Sequence, residues 1–235
     1  MKVRIKFSKM GPVKFVGHLD TMRYFQKALR RAELPTAFTG GYSPHMIMSF
    51  AAPLGVGMES MGEYFDLELT ETVPTDEITK RLNAVLSEGV QVISTRQVED
   101  GKAGKAMSLV ASADYFVSFR QGKEPDIPWK DKLQDFLDLP EILVTKKTKR
   151  SEKQVDLRPC IYLMEQQDEG VFLMLASASS NYTKPELVME TFFQWLGIEL
   201  PPFAMAVRRM EVYADLGEDG AHRFVTLESL GEEVE

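Results

Sequence analysis

The sequence is poor in the residues that build fixed chemical sites. Cysteine occurs once in 235 residues, at Cys160. That excludes a disulfide framework within the chain and any cysteine-based cluster or zinc site. Cys160 itself reads as a small, half-buried apolar residue. The three histidines, His18, His45 and His222, show no metal-ligand spacing, and no triad or paired-carboxylate constellation accompanies them. There is no Walker pattern, and Gly55-Val56-Gly57 is too short for a nucleotide fingerprint. No cofactor or metal is therefore expected in this chain. No apolar run is long enough to cross a bilayer, and no basic-then-apolar leader opens the sequence. A cytoplasmic protein without membrane contact is the expectation.

Acids are missing from one region. Residues 1–50 hold nine lysines and arginines against Asp20 and Glu33 alone, although the whole chain carries a net charge of −7. Residues 211–235 show the reverse, eight acids against one arginine. Such asymmetry hints at an anionic partner for the basic half. In bulk the chain is ordinary, with 44% hydrophobic and 27% charged residues, as in a globular protein.

Hydrophobic periodicity supplies the element order. Val3, Ile5 and Phe7 alternate with Lys2, Arg4 and Lys6, which predicts a half-buried strand. Leu19, Met22, Phe25, Ala28, Leu29 and Ala32 recur at helical spacing and predict a helix over 19–33, ended by Pro35. Residues 39–58 open with Gly40-Gly41 and close in a second Gly/Pro cluster. They are too apolar for a solvated loop and too Gly-rich for a helix, so a strand over 46–52 and a bend at 53–57 are expected. A strand over 63–70, a helix from Pro74 and a strand from Gly89 complete a β-α-β-β-α-β order. The order recurs after a linker: a strand at 113–120, a helix at 127–139, a strand at 141–147 paired with 154–157, a strand at 171–177, a helix at 184–196 and a strand at 205–213. The fold class expected is α+β, with two tandem ferredoxin-like (βαββαβ) domains, the second carrying an inserted β-hairpin at 146–158. The domains are 1–100, basic, then a linker at 101–110, a second domain at 111–214 and an acidic tail at 215–235, frayed unless His222-Arg223-Phe224-Val225-Thr226-Leu227 adds an edge strand.

The candidate contacts follow from charge and hydroxyl placement. Arg23, Lys27, Arg30 and Arg31 stand at offsets 0, 4, 7 and 8 of the first helix and share one face, with Lys14 ahead of it. That face is either a solvated helix surface or a phosphate-contact surface. Lys146, Lys147, Lys149, Arg150 and Lys153 form a second basic group on the hairpin, which either protects an edge or clamps a nucleic acid. His18 and His45 suit proton transfer near neutral pH or act as structural hydrogen-bonding residues. Tyr42 and Ser43 add hydroxyl groups for a phosphate or a base edge. Asp156 and Arg158 flank an apolar residue and predict a structural ion pair. Met46, Met48, Met58 and Met61 fill core or form a soft contact patch.

The segments Phe7-Ser8-Lys9-Met10-Gly11, Phe15-Val16-Gly17-His18-Leu19-Asp20, Gly41-Tyr42-Ser43-Pro44-His45 and Pro53-Leu54-Gly55-Val56-Gly57 together resemble the radical-SAM-linked protein family. The resemblance extends to Val155-Asp156-Leu157-Arg158-Pro159. Members occur alone or as the C-terminal domain of B12-binding radical SAM proteins, and are often encoded near an RNA-processing nuclease. The resemblance implies a radical SAM partner and makes RNA a plausible substrate. It places no cofactor here, because the three-cysteine cluster motif is absent. The tandem order is also similar to CRISPR RNA-processing endonucleases, although their glycine-rich loop near the chain end has no counterpart here.

The leading expectation is an RNA-binding or substrate-presenting accessory partner of a radical SAM enzyme. The alternatives are a metal-free endoribonuclease using His18 or His45, with Arg23 or Lys27 stabilising the phosphorane, and a protein adaptor that binds no RNA.

Overall fold

A computed structural model describes residues 1–99, 101, 104–147, 152–218 and 220–235, with backbone alone at 146, 147, 152 and 153. The chain is α+β, with mostly antiparallel sheet and few helices. It divides into two compact units, one of residues Met1–Ala111 and Arg209–Glu235, the other of Ser112–Arg208.

The first unit opens with the elements that the periodicity predicts: β1 (Lys2–Lys9), α1 (His18–Arg31), β2 (Met48–Phe50), β3 (Glu59–Glu68), α2 (Thr75–Asn83) and β4 (Val90–Gln97). β1 runs antiparallel between β3 and β4, with Ile5 opposite Phe65 on one side and Thr95 on the other. β2 pairs with β3, Phe50 opposite Phe65. The strand expected over 46–52 is thus only three residues long. Beside it, Ile47 N–H donates to the carbonyl of Ala37 and Ala51 N–H to that of Tyr64, both at 2.9 Å. A single turn of helix, α3 (Ala106–Leu109), follows β4.

One face of this sheet receives both helices. Val3, Ile5, Phe7, Phe25, Leu29, Phe65, Leu67, Ile78 and Leu82 are all buried there. The Phe7 ring lies 4.7 Å from Phe25, and Phe50 lies 5.3 Å from Phe65, centroid to centroid. Each such side chain stabilises the fold by roughly 1.5–3 kcal/mol relative to exposure. α1 stops at Arg31 because Glu33 takes a left-handed φ of 52° ahead of Pro35.

The polar face of β1 is buried as well. Arg4 is 1% exposed and Lys2 5%. Arg4 Nε donates to Asp66 Oδ1 at 2.9 Å, and its other nitrogens reach the carbonyls of Gly104 and Leu227. Lys6 Nζ lies 2.6 Å from both Glu211 Oε2 and Glu228 Oε1. The cations of this face are therefore neutralised from within, Lys2 and Arg4 by Asp66 and Lys6 by Glu211 and Glu228 of the carboxyl end.

The second unit contains β5 (Val110–Phe119) from Ser112 onward, α4 (Leu133–Leu137), β6 (Leu143–Lys147), β7 (Glu152–Asp156), β8 (Ile161–Gln167), β9 (Gly170–Ala176) and α5 (Pro185–Trp195). β9 pairs antiparallel with β5 and with β8. Trp129, Phe136, Phe192 and Phe193 are all at most 1% exposed and form its aromatic core. The hairpin β6–β7 pairs Leu143 with Asp156 and forms a two-stranded sheet of its own. β8 is absent from the sequence reading, and so the second element order is not a simple repeat of the first. Asp156 and Arg158 do not pair with each other. Asp156 Oδ1 accepts from the backbone N–H of Ile142 and Arg158, while Arg158 donates to the carbonyls of Leu137 and Ile161. Both residues lock the corner, since local backbone groups lie nearer than the opposite charge.

β10 (Met205–Asp215) leaves the second unit, and from Arg209 the chain belongs to the first. Gly62 in β3 is needed here: a Cβ would stand 2.7 Å from the carbonyl oxygen of Met210. β11 (Phe224–Thr226) pairs with β10, Tyr213 opposite Thr226. The frayed tail expected over 215–235 is instead packed. Leu227 is fully buried, and Gln97 and Glu232 exchange both backbone hydrogen bonds. Glu211 and Glu228, which composition marks as tail charge, are partners of Lys6.

Candidate functional site

α1 sorts its residues by the helical period. Thr21, Phe25, Ala28 and Leu29 face the core. At 3.6 residues per turn, Arg23, Lys27 and Arg30 fall on the opposite side, and all three are exposed. Arg23 is held by Asp20 at 3.1 Å. Lys27 and Arg30 have no side-chain partner among the described residues. Arg31 turns towards α2 and donates to the carbonyl of Val85 at 3.1 Å, so it leaves the shared face. Lys14 lies in a 3-10 turn over Gly11–Phe15 and pairs with Glu59 at 3.3 Å.

Exposed rings lie in the segments before and after α1. Phe15, next to the start of α1, is 64% exposed, with the ammonium of Lys14 5.7 Å from its ring centroid. The loop 39–45 is closed on itself: Thr39 N–H donates to the carbonyl of His45 at 2.9 Å, and His45 N–H donates to Thr39 Oγ1 at 3.0 Å. An isolated bridge between Phe38 and Met46 continues the closure. Gly41, with φ of 100°, makes the turn, and Tyr42 stands fully exposed beside the exposed Ser43.

Between that loop and α1 lies a cleft of about 520 Å³. Met22 and Gln26 of α1 form one wall, His45, Met46 and Met48 another. Lys2, Asp66, Glu68 and Lys105 also line it. Asp66 is neutralised by Arg4 and Lys2, the latter at 3.6 Å.

A second group lies under the segments 14–19 and 53–57. Lys9 Nζ donates to the carbonyl of Val16 at 2.5 Å. Arg209 Nη2 donates to the carbonyl of Pro53 at 2.9 Å, and its Nε is 3.4 Å from Glu63 Oε1. Burial pushes the Glu63 carboxyl up, with Arg209 opposing; burial holds the Lys9 ammonium down, with Glu63 opposing. Two buried cations thus hold two surface loops by their carbonyls. His18 and Glu63 share a narrow cavity of about 10 Å³, and His18 rests edge-on against Phe50 at 5.3 Å.

The two histidines line different cavities, and neither cavity contains both. Arg23, Lys27, Arg30, Tyr42, Ser43 and His45 are gathered on and beside α1; Arg31 and His18 are not part of that surface. The side chains of Lys146, Lys147 and Lys153, and the whole of Lys149 and Arg150, lie outside the described residues. Sequence reasoning missed Phe15, Gln26, Glu68, Lys105 and the Lys9–Glu63–Arg209 group. Phe15 had a signal, an apolar residue outside the helical stripe; the others depend on contacts distant in sequence.

A family model described as "Uncharacterized protein conserved in bacteria (DUF2344)" matches residues 2–185. Nothing in that match concerns radical SAM or B12-binding proteins. Among solved structures, the chain is similar to one in the "Crystal Structure of a Cbf5-Nop10-Gar1 Complex", at 13% identity and a TM-score of 0.46, covering 89% of this chain. It spans about half, 48%, of that chain. No curated protein matches.

Proposed function

This chain belongs to the bacterial DUF2344 family, and from that premise we propose that it is a single-stranded RNA-binding protein that presents its substrate to a partner enzyme. The observation that carries the reading is the solvent face of α1. Lys27 and Arg30 stand exposed without acidic partners among the described residues, on a helix preceded by the exposed ring of Phe15 and followed by the loop that carries the exposed ring of Tyr42. Cations that follow a phosphate backbone, interleaved with rings on which bases stack, are the working parts of single-strand binding. The folded charge distribution narrows the argument from composition. β1 spends its cations inside the molecule, so the electrostatic footprint is the helix face and not the whole basic half.

The partner suggested by the motif resemblance is a B12-binding radical SAM protein, and the reading of both units as ferredoxin-like belongs with this proposal, as does a cytoplasmic location. The alternative is a metal-free ribonuclease that uses His18 or His45; a mechanism in which the two act together has less support, because they line separate cavities. A purely protein-binding adaptor would leave Lys27 and Arg30 without a role. Filter binding against tRNA and rRNA fragments over a salt series tests the reading. Binding that weakens as salt rises is expected; absence of binding at low salt rejects it.

A further inference from the structure

We infer that the cleft between α1 and the 39–45 loop is a pocket for one unstacked base, and that it selects guanine. The inference rests on the RNA-binding reading for how the base arrives. The pocket chemistry stands separately.

Size comes first. A cleft of about 520 Å³ falls within the usual range of small-ligand sites. The walls come next. Met22, Met46 and Met48 give it a polarisable apolar surface, suited to a flat aromatic ring. Position follows. Gln26 and His45, which line the cleft, adjoin in sequence the exposed Lys27 and the loop that carries Tyr42, so that a strand held by those two residues runs beside the cleft.

Glu68 supplies the selection. Its side chain lines the cleft and has no hydrogen-bond or ion-pair partner among the described residues. A carboxylate only accepts hydrogen bonds. Guanine alone among the four bases offers two adjacent donors, N1–H and the N2 amino group, on its Watson–Crick edge. Uracil presents a single donor between two acceptors, and adenine and cytosine each set one amino group beside a ring acceptor. The negative charge does not bar RNA, because Lys2 and Lys105 line the same cleft and offset it.

The test uses the full chain and fluorescence anisotropy with nine-residue oligouridine, the same strand with one central guanosine, and the same strand with inosine there. The guanosine strand should bind about tenfold tighter than oligouridine, the order expected of one bidentate contact. Inosine, which lacks the N2 amino group, should lose most of that gain. In Glu68→Gln the guanosine-to-uridine ratio should collapse towards one, with thermal melting showing that the variant is folded. Equal binding of all three strands overturns the pocket but leaves the RNA reading standing, as does a guanosine preference that survives Glu68→Gln. If no strand binds, the RNA reading fails. Guanosine monophosphate, titrated alone while the methionine methyl resonances are followed, then decides the pocket. Shifts with guanosine and none with uridine monophosphate support it, and no shift with either overturns it.

Discussion

Arg4 and Asp66 meet edge to edge beneath the sheet of the first unit, Nε to Oδ1 at 2.9 Å and Nη2 to Oδ2 at 3.3 Å. Both side chains are at least nine-tenths buried. Asp66 also accepts the backbone N–H of Ala106 at 2.8 Å. The pair therefore fixes α3 as well as two strands. Removing Asp66 leaves the buried cations of Arg4 and Lys2 without their carboxylate, at a cost of about 3–5 kcal/mol. Asp66→Ala should lose that much in urea unfolding, while Glu71→Ala, at an exposed position, should stay within about 0.5 kcal/mol of the parent.

Acid should loosen the attachment of the carboxyl-terminal segment. Burial pushes the Glu228 carboxyl up, but hydrogen bonds from Lys6 and Ser94 outweigh it and hold the group below its ordinary value of 4.5. A carboxylate depressed in the folded state stabilises above its unfolded pKa, and that contribution is lost as pH falls through the folded value. Lys6 is shifted the other way, raised by Glu211 and Glu228 against the desolvation that lowers it. Its contribution is present below pH 10.5 and lost as pH rises through the folded value. Melting curves from neutral pH to below 4 should show the parent losing stability in acid more steeply than Glu228→Gln. Parallel curves for the two proteins would remove Glu228 from the account.

Much of the fold was legible in the sequence. β1, α1 and α2 declare themselves because each has a single apolar stripe at the right period, and the structure places those stripes in one core. What could not be read is what covers the polar stripe of β1. Alternation shows that the two faces differ; it does not show that the polar face meets water. The acids that bury it, Asp66, Glu211 and Glu228, lie far along the chain, and only the tertiary fold brings them to Lys2, Arg4 and Lys6. β8 escaped for a local reason. Its second half, Glu165-Gln166-Gln167, lacks the β-branched and aromatic residues that mark strands, and its turn uses Asp168 at a left-handed φ of 48° in place of glycine. Of the site, the cations and Tyr42 were visible as composition, whereas the cleft beside them exists only once α1 meets the 39–45 loop.

Stacking should be separable from charge. Tyr42 and Phe15 are exposed, so their removal should leave melting temperatures nearly unchanged. Tyr42→Ala and Phe15→Ala should each weaken single-stranded RNA binding by about 1–3 kcal/mol, the usual value of one base stacked on one ring. Duplex RNA, whose bases are already stacked, should show little change in anisotropy titrations of the same variants.

The surface loops depend on buried cations in a way that binding assays alone do not reveal. Lys9→Met removes the donor that holds the carbonyls of Val16 and Lys14 but keeps the length of the stem. Faster amide exchange over 14–19 than in the parent is expected, with the core of α1 unchanged. Unaltered exchange in that segment would show that the loop holds without Lys9.

The central claim is that the solvent face of α1 binds RNA through its unpaired cations. Its most direct test is the salt dependence of single-stranded RNA affinity in the parent and in the double variant Lys27→Glu, Arg30→Glu. Loss of two phosphate contacts should weaken binding and lower the slope of log affinity against log salt by about two. A folded double variant that binds with the parent's affinity and the parent's slope would contradict it.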